Sequence, residues 1–98
     1  MKSIIQEDKE HCFICGGNSN FEPLDEHHCY GGANRKLSEK YGLKVYLHHN
    51  TCHIFGKNSV HQNATVNNAL KKVVQERAMQ KHGWTEDDFR KIFGKSYL

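Results

Sequence analysis

Two cysteine-containing motifs constrain this chain more than any other feature. Cys12 and Cys15 are separated by two residues, and so are His49 and Cys52. At that spacing both side chains of a pair can face one ion, and zinc takes four such soft or borderline ligands in a tetrahedron. A chain of 98 residues buries only a modest core and gains from a staple of this kind. The expectation is a structural zinc held by Cys12, Cys15, His49 and Cys52, tying an N-terminal knuckle to the end of a later strand. A strand end is hard to phase from sequence, so His48 stands as the alternative to His49. The plain alternative is a set of free thiols packed in a core. A thioredoxin-like redox pair fits less well, because "CFIC" lacks the preceding strand and following helix of that fold. Cys29 has no partner at knuckle spacing and reads as a small buried residue on a strand.

The opening "MKSIIQEDKEHC" has no apolar stretch of useful length, and no window approaches the roughly 18 apolar residues of a membrane span. These features predict a protein of the reducing cytoplasm that does not enter the membrane. There a cysteine pair more often binds metal than forms a disulfide. The net charge of +3 is unevenly spread. Residues 1–30 hold two lysines against six acids, whereas residues 31–60 hold five basic residues against one acid. That step suits a polyanion lying over the basic segment, although an ordinary solvated surface has the same appearance.

Residues 1–11 read as a polar lead-in, frayed at its start. The glycines after "CFIC" allow a tight turn. A short strand is expected over residues 24–29, followed by a basic, glycine-bounded loop with a helical turn at residues 36–41. The alternation of Leu43, Val45 and Leu47 with Lys44, Tyr46 and His48 predicts a second strand. An irregular bend over residues 50–63 leads into the main helix, whose apolar face runs through Val66, Leu70, Val73, Val74 and Ala78 and which Gly83 ends. Thr85 caps a second helix, with Phe89, Ile92 and Phe93 as its stripe and Gly94 as its stop.

The stretch "DEHHCYGG" sets two imidazoles side by side. With His27, His28, His53 and His61 left over from the knuckle, a second site is expected. Individually each is an ordinary surface or capping histidine. As a group, three imidazoles on one ion leave open positions for water and substrate, the arrangement of a catalytic centre. Neighbours on a strand point to opposite faces, so one ring of the pair can grip an ion while the other exchanges a proton.

An adjacent histidine pair on one strand, a basic loop, a second strand, a ligand-rich "CH" and then a helix resembles the HNH nucleases and their ββα-metal motif. The runs "HHCYGGANRKLSEKYGLKVYL", "SVHQNA" and "WTEDDFRKIFGKSYL" resemble small phage- and prophage-encoded HNH-like proteins in particular. The resemblance implies one α+β domain over residues 1–98, with a knuckle and ββα core over 12–82 and a small C-terminal helix within 83–98. It implies an endonuclease hydrolysing DNA phosphodiesters, with His28 as general base and His27, His53 and His61 holding one catalytic divalent ion (magnesium, manganese, zinc or nickel) beside the structural zinc. Arg35, Lys36 and Lys57 would contact phosphates without reading sequence. Lys44 stands near the place where the family carries the asparagine that braces the base-orienting loop. A zinc-stabilised DNA-binding or adaptor module without catalysis is therefore the alternative. The expected setting is a bacterial host cell, as a monomer or homodimer, with phage or host recombination and packaging proteins as further partners.

Overall fold

Apolar alternation and helix caps translate directly into the elements. The computed structural model describes residues 2–20 and 22–98. In chain order it has strand β1 (Leu24–His28), a 3-10 turn (Gly32–Asn34), helix α1 (Arg35–Tyr41), strand β2 (Lys44–His48), a π-helical turn (His49–Ile54), and helices α2 (Ala64–His82) and α3 (Glu86–Phe93). This is a small α+β fold. The strands pair antiparallel, with His27 opposite Val45 and His28 opposite Lys44. Cys29 lies just past β1, still donating its N–H to the Leu43 carbonyl at 3.0 Å, and it is buried as expected.

All five residues of β2 are buried, which a simple alternation does not predict. Val45 and Leu47 enter the core with Leu70, Val74, Phe89 and Phe93. The residues between them are covered by the start of the chain, expected as a frayed lead-in. Ile4 donates its N–H to the Gly42 carbonyl at 2.9 Å, and Phe13 donates to Tyr46 at 2.8 Å. The Tyr46 N–H donates to Gln6 Oε1 at 2.8 Å, and Arg77 on α2 donates to the Ile5 carbonyl at 3.0 Å. Gly42 is required at this crossing: its φ is +70°, and a Cβ would lie 2.4 Å from the Lys2 carbonyl oxygen.

Asn63 caps α2 by accepting the Val66 N–H at 3.1 Å. Leu70, Val74 and Ala78 face inward, one turn apart. Val73, expected on that face, is 39% exposed, and Gln75 is fully buried in its stead. The cause is the C-terminal tail, which covers the Gln75 side of the helix. Gln75 Oε1 accepts the Tyr97 N–H at 2.7 Å and its amide donates to Ser96 Oγ at 3.0 Å, so the buried amide is satisfied. Thr85 and Asp88 close a capping box on α3. That helix presents Phe89 and Phe93 to Tyr30, with ring centroids 5.5 and 5.0 Å apart.

Candidate metal centres

The knuckle forms because its glycines let the chain fold back on itself. Cys12 donates its N–H to the Gly17 carbonyl at 2.8 Å and accepts that of Gly16 at 2.9 Å. The ring of His48 then lies close above Gly17, where a Cβ would come within 2.9 Å of His48 Cε1. His48 Nε2 lies 2.9 Å from the Asn18 carbonyl, to which it donates, leaving Nδ1 directed at Cys15 Sγ, 3.2 Å away. Cys12, Cys15, His48 and Cys52 each offer a ligand atom, all within 4.8 Å of one another. Three thiols and one imidazole, the imidazole fixed by a carbonyl behind it, suit a structural zinc.

The imidazole that joins the three sulfurs is thus His48 and not His49. Strand β2 continues through His48, which shares a face with Lys44 and Tyr46. His49 opens the π-helical turn, which carries the chain on to Cys52. Burial pushes the Cys12 thiol up, but backbone N–H groups of Cys15, His48 and Ile14 outweigh it and leave it at about 7. Burial and the neighbouring sulfurs of Cys12 and Cys15 push Cys52 up to about 12. Repulsion among clustered thiolates is what a bound dication relieves.

A second group assembles on the other side of the same turn. His27 comes from β1 and His53 from the π-helical turn. His61 is brought alongside by two backbone bonds, His61 N–H to the His53 carbonyl at 3.1 Å and Val60 N–H to the Cys52 carbonyl at 2.9 Å. Ring centroids lie 5.0 Å (His27–His53), 5.8 Å (His27–His61) and 4.8 Å (His53–His61) apart, and the ligand nitrogens lie within 4.8 Å of one another. His27 Nε2 is buried and finds no hydrogen-bond partner among the described residues. Burial, then the charges of His53 and His61, lower its pKa to about 3, so the ring is neutral and its lone pair available. His61, more exposed, is lowered in the same direction by burial and by His53.

Asp25 stands behind this group. Its Oδ2 accepts from Nδ1 of His53 at 2.9 Å and of His49 at 2.5 Å. Burial raises the Asp25 pKa, but the two histidine bonds outweigh it and hold it below its ordinary value. With Nδ1 protonated, His53 presents Nε2 as the ligand atom, the arrangement by which carboxylates orient metal-bound imidazoles. His49, expected at the knuckle, belongs here.

His28 takes the opposite face of β1. Its Nε2 lies 2.8 Å from Glu39 Oε2, on α1, and 3.9 Å from Glu26. Lys44 Nζ reaches Glu39 at 2.9 Å and Glu26 at 3.4 Å. Hydrogen bonds from Lys44 and then His28 lower the Glu39 carboxyl to about 2. The sequence "DEHH" thus deals one acid and one imidazole to each face of the strand. That pairing is legible in the alternation of the strand, but only when each histidine is taken together with its acid.

Beyond the end of β1, His27, His28, His53 and His61 border a cavity of about 430 Å³ whose wall also carries Arg35 and Lys71. A smaller hollow of about 330 Å³ adjoins it, bounded by His28, Arg35, Lys36 and the carboxylates of Glu26 and Glu39. Of the expected phosphate contacts, Arg35 and Lys36 lie there. Lys57 is exposed and borders neither space. Lys71 and Asn67, one helical turn apart on α2, line the larger cavity. Lys71 lies outside the apolar face that helical spacing predicts for α2, so its place on the cavity wall is visible only in the fold. Compared with protein-family models, curated proteins and solved structures, the chain matches none.

Proposed function

We propose that this protein is a metal-dependent endonuclease of the HNH type that hydrolyses DNA phosphodiester bonds, with β1, β2 and α2 forming a ββα-metal core. One observation carries the reading. His27, His53 and His61 converge, the buried Nε2 of His27 having no hydrogen-bond partner among the described residues, while adjacent His28 turns away from them and borders the same cavity. The donor set fits a divalent ion of borderline softness. Such an ion, when bound, neutralises charge on a phosphodiester oxygen and on the leaving oxygen.

The remaining chemistry belongs to the side chains. His28 takes the proton of the attacking water, a task suited to an imidazole near neutral pH. Arg35 and Lys71 hold the anionic backbone against the cavity wall and orient it. Asp25 keeps His53 in the tautomer that presents Nε2. The knuckle, on the far side of the π-helical turn, supplies stability to the loop that carries His53.

The test is nicking of supercoiled plasmid by pure protein loaded in turn with magnesium, manganese, nickel and zinc. His28→Ala is expected to lose about 10²–10⁴-fold in rate while keeping wild-type metal content. Retained DNA binding with no cleavage under any of these ions favours the second reading, a zinc-stabilised DNA-binding module. The observation behind that second reading is Lys44, which stands near the place where the HNH proteins carry an asparagine.

A further inference from the structure

Which nitrogen of His28 is free to accept a proton depends on what holds the other. Glu39 Oε2 lies 2.8 Å from Nε2. Both Glu39 oxygens in turn receive Lys44 Nζ, at 2.9 and 3.2 Å. Lys44 lies opposite His28 in the strand register, and its side chain is 6% exposed. Two separate elements therefore hold the ring. Helix α1 brings the carboxylate and β2 the ammonium that locks it. Glu26, His28 and Glu39 also have metal-ligand spacing, but the Lys44 ammonium sits between the two carboxylates and already supplies the positive charge a metal would bring.

We propose that Glu39, locked by Lys44, is a positioning residue that keeps His28 protonated at Nε2 and leaves the Nδ1 lone pair as the proton acceptor. A carboxylate accepts only, so the shared hydrogen belongs to the imidazole; in the neutral ring the other nitrogen then carries the lone pair. This rests on the assignment of His28 as the base. The tautomer itself can be read whether or not the protein cuts DNA.

The experiment joins two readouts on zinc-loaded protein. Long-range proton–nitrogen NMR, at a pH where imidazole is neutral, reports the His28 tautomer. Plasmid nicking gives kcat and KM. Wild type is expected to show the Nε2–H form. Glu39→Ala is expected to mix the tautomers and to lower kcat about 10–100-fold, the usual scale for such supporting partners, with KM little changed. Glu39→Gln, which keeps the shape but accepts more weakly, should fall between, and Lys44→Met should move kcat the same way. A wild-type Nδ1–H form, or a folded Glu39→Ala protein with unaltered tautomer and kcat, overturns the proposal. If Glu39→Ala does not fold, a Glu39→Gln protein with wild-type tautomer and kcat overturns it equally. A tautomer that shifts as expected in a protein inert on plasmid under every ion supports the role of Glu39 and removes the nuclease reading alone.

Discussion

A single-residue step at the end of β2 decides which imidazole meets the sulfurs. His48 is fully buried with Nδ1 at Cys15, whereas His49 has turned to Asp25. His48→Ala should therefore lose the knuckle ion, and His49→Ala should keep it, as measured by zinc per folded chain. The reverse pattern would contradict the assignment. His27 offers a second test, through proton linkage. Its folded pKa, about 3, lies below the value of about 6.5 in an unfolded chain. Between those values the unfolded state binds the extra proton, so stability is complete above the upper value and falls as pH drops towards the lower one. Thermal melts from about pH 7 to about pH 5 should show a falling midpoint in that window. His27→Gln should flatten the slope; an equal slope in the variant would argue against the burial of a neutral ring. The second site was legible as a set of residue types, because His27, His53 and His61 stood out once the knuckle was set aside. Asp25 and Glu39 were not, since a carboxylate near a histidine acquires meaning only when the strand's alternation and the position of α1 are known.

At the scale of elements, the knuckle depends on a close approach that only glycine permits. A Cβ on Gly17 would lie 2.9 Å from His48 Cε1, and that ring is held between Asn18 and Cys15. Gly17→Ala should displace His48 and weaken zinc retention against a competing chelator, and stability should drop by the roughly 1–3 kcal/mol typical of overpacking. Unchanged zinc affinity would show that the ring has more room than this geometry gives it. Caps and periodicity announced α2 and α3, and Thr85 with Asp88 formed the expected kind of N-terminus. Helix α1 was visible only as a turn, since seven residues of mostly polar sequence have too little apolar face to declare themselves. The burial of Gln75 and exposure of Val73 were hidden for a different reason. Both follow from a tail that returns 21 and 22 residues later through Ser96 and Tyr97, and helical periodicity contains no information about that.

Across the whole molecule, one turn links both centres. The segment His49–Ile54 carries Cys52 to the knuckle on one side and His53 to the histidine group on the other. The start of the chain, closed onto β2 through Gln6 and Phe13 and onto Gly42 just before it through Ile4, brings Cys12 and Cys15 to that turn. Loss of the knuckle ion should therefore loosen the second site as well. Of the basic residues expected to meet a polyanion, Arg35 borders the cavity and Lys36 the adjoining hollow, whereas Lys57 borders neither; Lys71 from α2 joins Arg35 on the cavity wall. No helix is long and apolar enough to cross a membrane. The central claim is that two cation sites of different character share this turn. Anomalous diffraction from crystals grown with a saturating divalent metal tests it most directly. Two ions are expected, one among Cys12, Cys15, His48 and Cys52 and one among His27, His53 and His61, with His28 bound to neither. A single ion at the knuckle, or a second ion ligated by His28, would contradict it.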